Sequence, residues 1–345
     1  MLKKIVSLVA LVALFSWPVA AKGGYELDTR KLWPILPANQ VHALILEYHL
    51  IENQPPDAKY PDLYVTPETF SKNMAVLREI GLKCISFDDA LTQLEAGNFD
   101  SSNIILTFDD GYRDNFNVAK NLSTLGYGAT FYVPTFYPGK SYPATHLFYM
   151  TWDDIRQVSD MGFEIGSHSV HHINLQNCKP DRAEYEISES INQIYNQIGK
   201  KPTTFSIPMG KYTNQVIVEI EKYGLRGCVT SNYGYLTNFN TNNAPRIKIV
   251  ENTSMRSVVL LYLLRNLKLE GDIKPGSKSP RVRTFRTMLT RLGHPLTDSD
   301  VYDEQMVKAV KAFQKYFQLE ESGELNSVTT DRIVSDFISL VVTGI

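Results

Sequence analysis

Three cysteines among 345 residues is too few for a disulfide-built scaffold, and an odd number cannot pair completely. Cys84, Cys178 and Cys228 show no metal-ligand spacing and read as small residues in or near the core. Excess charge is also missing. Lys and Arg number 35 against 37 Asp and Glu, a net charge of -2, which gives no electrostatic footprint for nucleic acid. After the first 21 residues no long apolar run occurs, so no later membrane span is expected. No internal repeat is visible. What is present is 43% hydrophobic and 21% charged residues, the balance of a soluble chain with a sizeable core. The length allows one large domain and one small one.

The N-terminus has its own logic. Lys3 and Lys4 precede an apolar stretch from Ile5 to Phe15, and Val19-Ala20-Ala21 supplies small residues before Lys22. This is the layout of a secretory signal peptide over residues 1–21, cleaved after Ala21; an uncleaved anchor is the alternative. Either way the remaining chain is expected outside the cytoplasm, in the periplasm or at the cell surface.

From Val41 to about Val250 short β-branched and aromatic runs alternate with helix signals. Leu44–Leu46, Ile104–Phe108, Thr130–Val133, Phe163–Ile165, Phe205–Ile207, Cys228–Thr230 and Ile247–Val250 read as buried strands. Thr66-Pro67 opens a helix that ends before Gly81, and Thr151-Trp152-Asp153-Asp154 has a carboxylate three residues after a capping hydroxyl. Thr213 and Gly224 bracket another helix. Such alternation predicts an α/β fold with a largely parallel sheet, open or closed into a barrel. The Gly, Pro, Lys and Ser content of residues 269–280 reads as a linker. Beyond it, in residues 281–345, Val282–Leu292, Glu304–Phe317 and Ser327–Val342 carry three- and four-residue apolar spacing, a small three-helix domain.

Two segments carry chemistry. Thr107-Phe108-Asp109-Asp110-Gly111-Tyr112 follows a strand directly, and strand C-termini are where parallel sheets place their sites. Paired carboxylates there can divide the work, one binding a metal and the other acting as base. An ordinary Asp-Gly turn is the alternative. His168-Ser169-Val170-His171-His172 holds three of the seven histidines, also after a strand. His168 and His172, four apart, can face one ion. Two imidazoles and one carboxylate suit zinc and accept other first-row divalent metals; three protein ligands leave positions open for water, whose pKa the metal would lower.

These two segments resemble the first two motifs of the polysaccharide deacetylases (carbohydrate esterase family 4, the NodB homology domain). The resemblance spans about Val41 to Val250, within a domain expected over residues 22–268. It implies a distorted (β/α) barrel and hydrolysis of N-acetyl groups on hexosamine polymers. By position, Asp109 matches the catalytic base, and Asp110, His168 and His172 match the ligands of one divalent metal. His171 matches no ligand. The backbone N–H of Met209, in Pro208-Met209-Gly210, matches an oxyanion donor, and Tyr112 is assigned with it to substrate contacts.

Two departures stand out. Ser206 occupies the position where the family's third motif carries the Arg that orients the base. No His lies between His172 and His294, so the family's usual late proton donor is absent from Arg246–Val250. Glu47-Tyr48-His49, at another strand end, resembles the Tyr-His motif of the branch acting on poly-N-acetylglucosamine. It makes His49 the expected proton donor or substrate contact, a structural histidine being the alternative. Residues 280–342, with Val282–Arg286, Ala309–Gln314 and Gly323-Glu324-Leu325, resemble a peptidoglycan-binding-like domain. The expected partner set is therefore an N-acetylated envelope glycan and the cell wall, with no nucleic acid. A non-catalytic wall-binding protein that keeps the metal site is the competing expectation.

Overall fold

The computed structural model describes residues 35–36, 42–268 and 273–343. The signal peptide expected over residues 1–21 and residues 269–272 of the expected linker lie outside the described residues. The chain divides into two compact units, with the boundary in sequence between residues 269 and 270.

Seven parallel strands close the first unit into a barrel: β1 (Ile45–Tyr48), β2 (Asn103–Phe108), β3 (Thr130–Val133), β4 (Glu164–Ser167), β5 (Thr204–Ser206), β6 (Gly227–Tyr233) and β7 (Ala244–Lys248). Around the wall the order is β1-β7-β6-β5-β4-β3-β2, and β2 returns to β1 with Glu47 opposite Thr107. A further short strand, Lys83–Ile85, pairs with the lower half of β2. Closure removes the open sheet edges that a seven-strand layer would expose. Thus the closed alternative of the two expected from the sequence is the one formed.

Helices α1 (Pro67–Glu79), α2 (Phe87–Glu95), α3 (Asn115–Leu125), α4 (Trp152–Asp160), α5 (Pro180–Ile198), α6 (Asn214–Lys222) and α7 (Met255–Lys268) accompany the strands. Local chemistry fixes their starts. The Thr66 hydroxyl accepts from Thr69 N with Pro67 at the first position. Thr151 and Asp154 form the full reciprocal capping box. At the start of α7 the Ser254 hydroxyl accepts from Ser257 N at 3.3 Å.

The barrel interior changes character along its axis. At the N-terminal ends of the strands Ala43, Ile45, Ile105, Tyr132, Val229 and Ala244 meet Phe87, Ala90, Leu91 and Leu94 of α2, which closes that end. Gly227 allows this: a Cβ there would stand 3.1 Å from Leu91 and 3.3 Å from Phe87. Two residues further along β1, β2 and β7 the inward positions turn polar, Glu47, Thr107 and Arg246, and Ser206 at the end of β5 joins them, all buried. Side-chain alternation therefore gives an apolar base and a charged mouth from the same strands.

The second unit contains α8 (Pro280–Arg291), α9 (Glu304–Tyr316) and α10 (Ser327–Thr343). Its centre is polar in one place. The Gln314 amide donates to Ser322, Glu324 O and Thr329, and its oxygen accepts from Gly323 N at 2.9 Å. Residues 273–279, read as linker from composition, belong to this unit: buried Ile273 bridges Leu325 and Lys278 bridges Val301. Low apolar content hid two short strand pairings there.

Candidate active site

Asp109 and Asp110 stand at the end of β2, His168 at the end of β4, and His172 four residues on. Asp110, Ser169, His172 and Met209 all take left-handed backbone angles, with φ of 72°, 64°, 52° and 57°. For non-glycine residues this costs free energy, and such positions persist only where the surroundings dictate them. Four of them converge on one rim.

The result is a compact donor set. The ligand atoms of Asp110, His168 and His172 lie within 4.8 Å of one another. His168 Nε2 is 3.4 Å and His172 Nε2 3.2 Å from Asp110 Oδ1. The other nitrogen of His168, Nδ1, donates to Ser206 O at 2.7 Å, which fixes the tautomer and leaves Nε2 free to ligate. Glu186, buried on α5, holds the loop between the ligands: it accepts from Val170 N at 3.0 Å, His171 N at 2.7 Å and His171 Nδ1 at 2.8 Å. His171 thus buttresses the ligand loop. These residues fit a divalent cation: two oriented imidazoles, one carboxylate and a braced backbone.

Electrostatics agree with that fit. Burial opposes charge at Asp110, but His172 and His168 outweigh it and hold the carboxyl well below the usual range. Burial opposes charge on both imidazoles as well. The two aspartates overcome it at His168 and raise its pKa, whereas at His172 burial prevails and lowers it.

Asp109 has different company. Arg246, fully buried on β7, crosses the barrel interior and donates from Nη1 to Asp109 Oδ1 at 2.9 Å and from Nη2 to Oδ2 at 2.6 Å. It also donates to Thr107 Oγ1 and Thr230 O, and its Nε lies 3.3 Å from Glu47 Oε2. Ser206 Oγ donates to Asp109 Oδ2 at 3.1 Å. Burial alone would raise the Asp109 pKa. The Arg246 charge, His168 and the forked hydrogen bonds outweigh it and hold the carboxyl at about 2.

With Ser206 at the position of the family's Arg, the motif pattern leaves Asp109 without an orienting Arg. The structure corrects this: an Arg is supplied from a different strand. One signal was available, since a lone Arg inside an otherwise apolar strand, Ala244-Pro245-Arg246-Ile247, needs a buried acid. Glu47 was likewise quoted only as part of a motif, yet it closes the Arg246 network. Its Oε1 accepts from Ser231 Oγ at 3.1 Å.

His49 joins the same cluster. Its Nε2 is 3.9 Å from Glu47 Oε1, and the ligand atoms of Glu47, His49 and Asp109 also fall within 4.8 Å. A second cation is not favoured there, because the Arg246 guanidinium already occupies the space between the two carboxylates. His49 Nδ1 is buried with no hydrogen-bond partner. Met209 caps the turn after β5, half its surface exposed, with Gly210 N bonded to Ile207 O. Gly210 has φ 61°, and a Cβ would approach Ser231 N to 2.8 Å, so only glycine lets this turn press on β6. Tyr112 is buried rather than open to a ligand; burial and then Asp110 push its phenol far above the ordinary range.

All three cysteines are free, Cys84 and Cys228 buried and Cys178 partly so. Among the described residues no helix is long and apolar enough to cross a membrane.

Comparison with known proteins gives a consistent picture. A family model described as polysaccharide deacetylase matches residues 96–228, and one described as "Putative peptidoglycan binding domain" matches residues 278–333. "Putative polysaccharide deacetylase YxkH" of Bacillus subtilis (strain 168) is 28% identical over 192 residues, 55% of this chain and 64% of that protein. "Peptidoglycan-N-acetylmuramic acid deacetylase PdaA" of the same organism is 28% identical over 136 residues, 37% of this chain and 46% of that one. The chain therefore spans less than two thirds of either relative. Among solved structures, the Streptococcus pyogenes deacetylase PplD in complex with acetate superposes with a TM-score of 0.57 at 22% identity, covering 64% of this chain and 97% of that one. IcaB from Ammonifex degensii gives 0.57 at 15% identity, covering 67% and 100%. At these identities the superpositions establish the fold, a (β/α) barrel of the deacetylase type.

Proposed function

We propose that this chain, which carries a polysaccharide deacetylase domain and a C-terminal domain of the peptidoglycan-binding type, is an exported, metal-dependent N-deacetylase of an envelope glycan. The reaction is hydrolysis of the acetamide on N-acetylhexosamine units, releasing acetate and leaving an amine. The observation that carries this reading is the pairing of two differently committed carboxylates: Asp110 beside two oriented imidazoles, and Asp109, 3.8 Å from His168 Nε2, gripped by the Arg246 fork.

A divalent ion, zinc or another first-row metal, would be held by Asp110, His168 and His172 and would polarise the acetamide carbonyl and acidify a water. The chain's own groups do the rest. Asp109 is ionised throughout the physiological range and takes a proton from the attacking water. Arg246 and Ser206 fix its orientation, so the accepting oxygen is not free to turn away. The Met209 N–H, on its strained turn, is assigned to the developing oxyanion. His49 is assigned to protonate the departing amine; its unpartnered Nδ1 leaves room for a water or a substrate hydroxyl to set the tautomer. Because Arg246 restores a cation on the base, the missing third-motif Arg no longer argues for a non-catalytic protein.

Acetate release measured with the metal-loaded full chain on N-acetylated peptidoglycan and on poly-N-acetylglucosamine tests the proposal, with Asp109→Asn as control. Release that depends on Asp109 is expected. Release from neither glycan would overturn the enzymatic assignment. A pull-down on isolated walls tests the second domain.

A further inference from the structure

The proposed chemistry uses residues at the floor of the mouth and leaves a row of tyrosines beside it unexplained. The row begins at Tyr112, two residues after the ligand Asp110. Its backbone bridges Tyr149, and the two rings are 5.2 Å apart. Tyr149 stacks on Tyr137 at 4.8 Å and 29°. Tyr142 stands edge-on to both, at 6.1 Å from Tyr149 and 6.2 Å from Tyr137. Burial declines along the series: Tyr112 is 2% exposed, Tyr149 and Tyr137 are half-buried, and Tyr142 is 38% exposed.

The scaffold under the row is built. Ser141–Tyr142 pairs antiparallel with Leu147–Phe148. Gly139 N donates to Met150 O at 2.8 Å, and Tyr149 N to Lys140 O at 3.1 Å. Leu147 and Tyr112 sit in a small core with Leu50 and Tyr64, which anchors the inner end. Tyr149 packs against the side of that core, and Tyr137 and Tyr142 continue the row beyond it. Exposed aromatic surface held rigidly beside a reactive pocket is costly in water unless a ligand covers it.

The chemistry of that ligand follows from the rings. A pyranose has C–H groups on one face and hydroxyls at its rim; a tyrosine offers an apolar face and a phenol at its edge. The two cations of this hairpin region, Lys140 and Arg113, are each drawn over a ring outside the row, Phe136 and Phe148, so the tyrosine faces themselves present an uncharged surface that suits a neutral polymer. Continuity with the metal-ligand rim, ring by ring, gives the direction of the bound chain.

We propose that Tyr149, Tyr137 and Tyr142 form a shelf for the sugar units flanking the one that is deacetylated, so that the substrate is an interior residue of a neutral N-acetylhexosamine chain. This rests on the deacetylase reading of the metal site and specifies its substrate as a polymer engaged over several units. The shelf residues bind substrate; they do not touch the reacting atoms.

Binding rather than turnover tests it. The full chain carrying Asp109→Asn, loaded with zinc, is titrated by calorimetry with N-acetylglucosamine and with its linear oligomers up to the tetramer. Affinity is expected to rise at least tenfold from monomer to tetramer. Adding Tyr142→Ala, or Tyr137→Ala with Tyr142→Ala, should remove roughly tenfold of that gain, as expected for a lost aromatic contact. Tyr142→Phe should retain most of it, because the ring and not only the phenol stacks. Tyr142 is exposed, so its single substitution keeps the test open if the double variant does not fold. Affinity independent of length, or a length dependence unchanged by Tyr142→Ala, overturns the shelf. The deacetylase reading fails separately, by absence of acetate release from the unsubstituted chain.

Discussion

Replacing Arg246 with Met isolates what the relocated arginine does. The substitution conserves much of the side-chain volume and deletes the charge. Two carboxylates, Asp109 and Glu47, then face each other in the barrel interior with no cation between them. Removing one partner of a buried ion pair costs about 3–5 kcal/mol. For a domain of this size that is roughly 10 °C in melting temperature. The rate effect is distinct. Asp109 is held at about 2 chiefly against burial, by the Arg246 charge. A carboxyl whose folded pKa is depressed stabilises the fold above its unfolded pKa, and that contribution is lost as pH falls toward 2. Without Arg246 burial prevails, the folded pKa rises, and the base is protonated over part of the working range. An ascending limb should therefore appear in kcat against pH, and kcat near neutrality should fall about 10²-fold, the low end of what general-base catalysis contributes. Adding Glu47→Gln removes one of the two repelling charges. It should recover part of the melting temperature and little of the rate. Thermal melts and acetate release across pH on the three proteins read this out. An Arg246→Met protein as stable as the parent, with an unchanged pH profile, would refute the assignment of Arg246 to Asp109.

Four further outcomes are expected. His49→Gln should lower kcat at least tenfold with metal content, read by elemental analysis, unchanged; an unaltered kcat would remove His49 as proton donor. Glu186→Ala should weaken metal binding about tenfold, measured by competition with a chromophoric chelator, since the loop from His168 to His172 loses its brace. Chelation should lower the melting temperature, because an ion present at a hundred times its Kd stabilises the folded state by about 2.7 kcal/mol. Asp114 should make stability fall with rising pH: burial raises its carboxyl to about 6, its Oδ1 has no partner, and a folded pKa above the unfolded one means the penalty sets in above pH 4 and is complete above about 6. Asp114→Asn should flatten that slope in urea titrations and stabilise by up to about 3 kcal/mol at neutral pH.

The barrel and the rim that gathers Asp110, His168 and His172 were legible in the sequence because the determining signals are local. Short apolar strands, caps at Thr66 and Thr151, and motifs placed directly after strands follow from neighbours in the chain. Thr130–Val133 was read to the residue. Asp109 and Arg246 are 137 positions apart, by contrast, and their contact depends on barrel closure, which only the register of β7 beside β1 brings about. The part Glu47 plays was hidden for the same reason: its inward orientation follows from alternation within a strand that runs to Tyr48, two residues beyond its expected end. Residues 273–279 look like a linker by composition, yet pair with segments that follow in the chain. Tyr112 had only its place after Asp110 to recommend it, and its burial under Tyr149 required the hairpin of residues 141–148 to be seen.

Helix α2 seals the N-terminal end of the barrel with Phe87, Leu91 and Leu94, so the interior is a cup. Under the proposed reaction everything that enters must leave by the same opening. Acetate has no rear exit, and the glycan that lies over the mouth is also its stopper. Turnover on a long polymer is then coupled to movement of that polymer: the strand must lift or slide before acetate escapes and water refills the floor. A slow release step would appear with long chains and vanish with short ones, and the number of units modified per encounter would be set by how the strand shifts, not by the hydrolysis itself.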